Sequence, residues 1–214
     1  MRACALVLLA LVLAGCGGSS STTRGSGHVV TVSRSVRDFT GVDLTGVATV
    51  NVAVGKPAAL TISGDDNILP LIRTEVHDGV LVISSKHGYS TKNELHLELA
   101  TPSLDGLTLI GAGSFTAAGI HSKSFSLDLS GAARLDLAGT TGTLDAKVSG
   151  VGAAQLEQLA ARDARVSLSG TGSLSVRATE SLDATVSGVG SISYTGSPKQ
   201  VTKHVTGLGT ISGA

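Results

Sequence analysis

The stretch RVSLSGTGSLSVRATESLDATVSGVGSISY, residues 165–194, decides the fold. It contains one pattern twice: an apolar/polar alternation, then Ser-Gly-x-Gly, then a second alternation. Working outward, the pair recurs as Ser130-Gly131, Ser149-Gly150, Ser169-Gly170 and Ser187-Gly188, with Thr206-Gly207 after them and Ile110-Gly111 before. The steps are 20, 19, 20, 18 and 19 residues. Internal repetition at such a period means stacked units that share one core.

The columns of the repeat say which side is buried. One place before the Ser stand Leu129, Val148, Leu168, Val186 and Val205; three before, Leu127, Ala146, Val166, Ala184 and Lys203. Five before stand Phe125, Leu144, Ala164, Leu182 and Val201, and five after, Leu135, Ala154, Leu174, Ile192 and Ile211. Apolar residues at every second place mark strands with one buried face. The expected fold is therefore all-β: a single-stranded β-helix, or β-solenoid, with rungs of about 18–20 residues stacked about 4.8 Å apart. The alternative is a β-sandwich of short hairpins, because two-strand units also alternate. A leucine-rich repeat lacks support, since the repeats show neither an Asn ladder nor a helical period.

Gly131, Gly150, Gly170, Gly188 and Gly207 are the expected repeat corners, where the chain needs positive φ or close backbone approach. Ala133 replaces the second glycine of one copy. The outward columns test the register. Asp145, Arg165 and Asp183 are expected to form an exposed ladder of alternating charge, and Asp128 to face Lys147, an arrangement that a one-rung slip would spoil. The first half is less regular. Thr45-Gly46 and Ser63-Gly64 match the repeat, Asp78-Gly79 reads as a turn, residues 86–93 as a polar loop and 94–100 as a strand. The expected organisation is an irregular half, 29–103, leading into regular repeats, 104–213.

Composition narrows the class. Glycine numbers 28 of 214 residues, about 13% against a usual 7% or so. Charged residues are 15% and aromatics 2%, which disfavours helical bundles, coiled coils and charged disordered chains. A formal net charge of zero gives no electrostatic footprint for nucleic acid. Met1-Arg2 and the apolar run 3–14 read as a signal peptide, too short for the ~20 residues that span a bilayer. Residues 1–15 are thus an expected lipoprotein signal peptide. Leu13-Ala14-Gly15-Cys16 resembles the bacterial lipobox, which implies lipidation of Cys16 and a lipid-anchored envelope protein. Gly17 is not the aspartate of inner-membrane retention, so the outer membrane is expected in a Gram-negative source. Cys4 falls in the signal, so no disulfide is expected in the mature domain. Losing Arg2 takes the 16 basic residues to 15 against 16 acidic, a net charge of −1. Residues 16–28 are the lipidated Cys and a Gly/Ser linker with a reach of about 20 Å.

The blocks VSGVGSISYTGSPKQVTKHVTGLGTISG (186–213), LSGTGSLSV (168–176) and FTGVDLTGVATVNVAVG (39–55) resemble the head GIN domain family, described as auto-transporter adhesins. DDNILPLI (65–72) and DGVLVIS (78–84) are similar to the family's first half, so the resemblance spans about 29–213. It implies a β-helical fold, frequent lipidation and no assigned enzyme activity. Family repeats often carry Asp between the second Gly and the Ile, where this chain has Ser191 and Thr210. An auto-transporter also requires a membrane barrel of alternating strands about ten residues long, a pattern not found in this sequence.

The residues suggest little chemistry. The Gly-x-Gly copies lack the third glycine and the helix of a dinucleotide site, and no Gly-x-Ser-x-Gly elbow occurs. Asp65-Asp66-Asn67 reads as a turn rather than a calcium site, and Glu94, His96 and Glu98 as a solvated strand face rather than a metal site. No catalytic residue, cofactor or metal is expected. The expected function is a non-catalytic adhesive, scaffolding or protein- or glycan-binding role. The expected partners are a membrane through the lipid, an envelope or host-surface protein or glycan, and a second copy through the solenoid ends. The rival is a polysaccharide-processing β-helix enzyme, a reading by fold analogy that needs paired carboxylates across rungs. Lys203 interrupts an apolar column and is expected to guard an open end.

Overall fold

The computed structural model describes residues 22–213. The expected signal peptide 1–15 and Cys16 lie outside the described residues. The fold is all-β apart from a 3-10 turn at Leu69–Leu71. The strands are β1 (Thr23–Arg24), β2 (Val29–Arg34), β3 (Gly41–Val54), β4 (Ala59–Asp65), β5 (Ile72–His77), β6 (Val80–Ser85) and β7 (Tyr89–Ser90). They continue as β8 (His96–Thr101), β9 (Gly106–Val148), β10 (Val151–Leu168), β11 (Thr171–Val186), β12 (Val189–Thr195), β13 (Gln200–Val205) and β14 (Thr210–Gly213).

Every described pairing between different strands from β9 to β14 is parallel. Leu144, Ala164, Leu182 and Val201 stand one above the next, at steps of 20, 18 and 19 residues. The unequal steps do not disturb the columns because bulges take up the surplus. Between Leu156 and Ala160 on β10, three residues have no partner opposite the adjoining Val176 and Arg177 of β11. Inside, Phe125, Leu144, Ala164 and Leu182 are all buried, as are Leu127, Ala146, Val166 and Ala184. Neighbouring rungs mix large and small side chains, with Phe125 the largest of these, which fills the space between strands.

β3 is the first rung of this stack. It pairs in parallel with β9 from Gly41↔Gly106 to Ala53↔Ala118, so residues 55–105 make an excursion between two stacked rungs. That excursion covers the far side of β3. β6 lies on its first part (Val42↔Leu81, Leu44↔Ile83) and β8 on its second (Val50↔Leu97, Val52↔Leu99). The next strands out run antiparallel: β5 on β6, β4 on β8 and β2 on β4. Asp78 and Gly79, with φ of 50° and 77°, make the tight turn of the β5–β6 hairpin.

The fold departs from the sequence pattern at two places. Ser63-Gly64 is not a repeat corner: it lies in β4, antiparallel to both neighbours, and Gly64 faces the side chains of Leu95 and Leu69. The second half of the expected linker 16–28 is docked on the domain. β1 pairs with β7, Gly25 N–H donates to Ser90 O at 2.7 Å, and Ser26 N–H donates to Asn67 Oδ1 at 2.9 Å. Gly25 is required because a methyl group there would overlap the Asp65 carboxylate. Close approach, rather than flexibility, sets that glycine.

Candidate functional site

Side chains that alternate away from the core form a polar outer face across β9, β10 and β11. A shallow groove of about 380 Å³ runs over it, lined by Asp105, Ser126, Asp145, Asp163, Arg165 and Asp183 together with Ser124, Thr143 and Ser181. Parallel register sets Arg165 between Asp145 on one side and Asp183 on the other. Arg165 Nε lies 3.5 Å from Asp183 Oδ2, and among the described residues no ion pair joins it to Asp145. Asp128 and Lys147 line an adjoining depression with Asp145, again without an ion pair among the described residues.

Asp163 is the most constrained acid of the groove. Ser181 Oγ donates to its Oδ1 at 2.7 Å and Arg162 Nε to its Oδ2 at 2.8 Å. These two hydrogen bonds hold its carboxyl below the usual carboxylate range. A glycosidase-type general acid needs the opposite shift, towards a proton retained near neutrality. Phe125, Leu144 and Ala164 also line the groove, so it offers fixed negative charge, hydroxyls and one guanidinium around an apolar strip.

The corner glycines form a second regular feature. A methyl on Gly131 would run into the carbonyl of Gly111, and the same holds for Gly150 on Gly131, Gly170 on Gly150, Gly188 on Gly170 and Gly207 on Gly188. Of these five, Gly131 alone has a positive φ, 151°; at the other four, close approach to the rung below is the reason for glycine. Ala133, and Ala48 in the copy headed by Gly46, take the place of the second glycine and bury their methyl groups. Val151, Val189 and Leu208, each held between two glycines, are among the most exposed large apolar side chains described, as is Val47 between Gly46 and Ala48.

The acidic turn acts as a structural hub. The buried Asp65 accepts from Thr91 Oγ1 and Asn93 Nδ2, each at 2.6 Å, and these bonds lower its pKa. Asp66 accepts from Ser26 Oγ at 2.6 Å, and Asn67 Nδ2 donates to Arg24 O at 2.8 Å. The turn thus fastens the entering chain and the loop before β8. Glu94, His96 and Glu98 are exposed; Thr49 Oγ1 donates to Glu94 and Asn51 Nδ2 to Glu98. Among the described residues no cluster of acids, histidines and cysteines is arranged to hold a metal ion. No described helix is long and apolar enough to cross a membrane.

Sequence reasoning missed Asp105, Asp163 and Ser181. Asp163 and Ser181 were within reach, since each lies two residues before a ladder member, Arg165 or Asp183, on the same outward alternation. Asp105 was not, because its neighbour across the stack depends on where the excursion 55–105 returns.

Residues 38–198 match the family described as "Putative auto-transporter adhesin, head GIN domain". Among solved structures, the chain is similar to a putative adhesin from Bacteroides fragilis at 27% identity and a TM-score of 0.72, covering 89% of this chain and 99% of that one. A putative adhesin from Parabacteroides merdae is similar at 18% identity and a TM-score of 0.52, with 90% and 99% covered. A protein from Parabacteroides distasonis named a putative lipid binding protein is similar at 21% identity and a TM-score of 0.52, with 91% and 100% covered. At the last two identities the likeness is one of fold. No curated protein sequence matches the chain.

Proposed function

The chain belongs to the head GIN domain family, and from that premise we propose a non-catalytic interaction module of the bacterial cell envelope, a β-solenoid held to a membrane by a lipid on Cys16. The observation that carries this reading is the parallel register in which equivalent residues of successive rungs stand in columns from β9 to β14. Such a stack presents a long, regular outer face, and contact over several rungs is what this geometry favours. The lipobox at Leu13-Ala14-Gly15-Cys16 supports the anchor. With segment 22–28 docked on the domain, few residues separate the described fold from Cys16, which would hold the domain close to its membrane. Partners on the envelope or a host surface, protein or glycan, would meet the groove of Asp145, Asp163, Arg165 and Asp183. The rival reading as a polysaccharide-processing enzyme is disfavoured by the lowered pKa of Asp163 and the pairing of Arg165 with Asp183.

The test is intact mass and membrane fractionation of the wild type and Cys16→Ala, expressed in a bacterial host with a lipoprotein pathway. A lipid-sized mass increment and membrane partition, both lost in the variant, are expected. A soluble wild type without added mass would overturn the anchor. In a parallel arm, Asp163→Lys with Asp183→Lys is expected to abolish binding to whichever envelope or cell surface retains the wild type.

A further inference from the structure

The two ends of the stack are built differently. At the β3 end, the excursion covers the first rung, and arginines donate to carbonyls of β5 and of Leu69 beside it. Arg34 donates to Leu69 O and Ile72 O at 2.7 and 2.6 Å, and Arg37 donates to Val76 O at 2.7 Å. Ile72 and Val76 lie four residues apart on β5, so their carbonyls share the edge that β5 turns away from β6, and these guanidinium groups occupy it. The other end is bare. β13 pairs with β11 on one side, no described strand lies on its other side, and all six of its residues are exposed.

What β13 leaves uncovered is the core itself. Val201 and Val205 continue the columns of Leu182 and Val186, yet they are 39% and 47% exposed where their partners below are 2% and 0%. Between them, Lys203 continues the column of Val166 and Ala184. Its ammonium lies 4.9 Å from the centre of the Tyr194 ring and donates to Ile211 O at 3.3 Å. Lys199, the nearest other cation on this end by sequence, is paired with Glu180 at 2.8 Å. The bare edge is thus apolar, cationic, apolar, at the two-residue spacing of one strand face.

A second copy matches this edge poorly. In a two-fold antiparallel pair of β13 strands, the register that sets Val201 on Val205 also sets Lys203 on Lys203. Slipping by two residues sets Lys203 on a valine instead. Head-to-tail stacking brings the lysine towards the end carrying Arg34 and Arg37. Charge complementarity selects a different occupant. We propose that the β13 edge is a strand-acceptor site for an extended segment of a partner protein that carries an acidic residue midway between two apolar ones. Backbone pairing to the free edge supplies the docking, two apolar side chains cover Val201 and Val205, and the carboxylate meets Lys203. This rests on reading the chain as an interaction module and names one partner class and its place.

The test uses the full chain in mild detergent and two synthetic peptides, acetyl-Thr-Val-Thr-Glu-Thr-Val-Thr-amide and its counterpart with Lys for Glu. Binding is followed by backbone amide NMR shifts. The Glu peptide is expected to shift the amides of residues 200–205 and to bind at least about fivefold more tightly than the Lys peptide, the scale set by exchanging attraction for repulsion at a partly exposed pair. Lys203→Glu is expected to invert the preference, and Lys203→Ala to erase it while leaving the melting temperature near that of the wild type. Shifts that miss β13, no binding of either peptide, or a preference unmoved by Lys203→Glu would overturn the proposal. Concentration-dependent shifts of β13 in the wild type alone would also overturn it, by identifying a second copy as the occupant. Failure here leaves the fractionation result untouched, and a soluble, unlipidated protein would leave this edge and its binding unchanged.

Discussion

Gly170→Ala is expected to destabilise the protein by about 3 kcal/mol, from separation of two rungs at one corner. Gly170 does not adopt a positive φ, so the cost is steric. The added methyl would overlap Gly150 O, and relieving it requires the rungs to part by roughly an ångström. Two hydrogen bonds flank that point, Thr171 N to Gly150 O at 3.0 Å and Ser169 N to Val148 O at 2.9 Å. Losing both costs about 1 kcal/mol each, and the loosened packing of the adjoining core adds about another. For a chain of this size, that lowers the melting temperature by roughly 6–12 °C, read by far-ultraviolet circular dichroism. Gly46→Ala is the informative comparison. Gly46 heads the same column with φ of 141° and has nothing within 4 Å of an added methyl, so its cost is conformational, about 1–2 kcal/mol. Thr171→Ala, on the exposed residue beside Gly170, should change stability by less than about 0.5 kcal/mol. If Gly170→Ala melts within about 2 °C of the wild type, the corner contact does not limit rung spacing and the steric reasoning is wrong.

Arg165→Glu places a third acid between Asp145 and Asp183. It is expected to destabilise by about 1 kcal/mol at low ionic strength, with most of the loss recovered in high salt; a salt-independent loss would contradict the rung adjacency. Asp65 has a folded pKa below its unfolded value, so its contribution is complete above the unfolded pKa and disappears as pH falls through the lower folded one. A melting-temperature series through the acid range should show Asp65→Asn flattening the fall of stability below the usual carboxylate range, and an unchanged profile would remove Asp65 from that role. Lys203→Val completes the apolar column of the last rung and is expected to make the protein associate through β13, as sedimentation velocity over a concentration series would detect. A variant that stays monomeric throughout would show that the lysine does not hold the edge apart.

The repeated half was legible because its signal is local. Alternation at Leu127, Leu129 and their equivalents marks the buried face, and the Ser-Gly pairs give the register, which sets Asp145, Arg165 and Asp183 side by side. The same reading failed where the deciding partner is distant. Ser63-Gly64 carries the same dipeptide as a corner, and only the antiparallel neighbours β2 and β8 distinguish it. Residues 22–28 have the composition of a linker, yet Ser26 bonds to Asp66 and Asn67, some 40 residues away. Nothing within the segment announces that pairing. Asp105 joins the groove for a similar reason, since 55–105 loops out and returns before β9 stacks on β3.

The regular half also constrains what could use it. Each outward column repeats once per rung at the strand spacing of about 4.8 Å, with the corner glycines permitting that approach. A partner touching one rung meets little more than a hydroxyl, a carboxylate or a valine. A partner touching several must itself repeat, or run extended, at a commensurate spacing, as a β-strand or a regular polymer does. Columns here are not uniform, because Arg165 stands between Asp145 and Asp183, so such a partner is also held in register along the stack. The occupant proposed for the free β13 edge would meet the same demand at right angles to the columns: an extended segment, matched at Val201, Lys203 and Val205 in turn. As proposed binding surfaces, both would therefore favour extended chains over compact ligands, through backbone spacing more than through any single side chain.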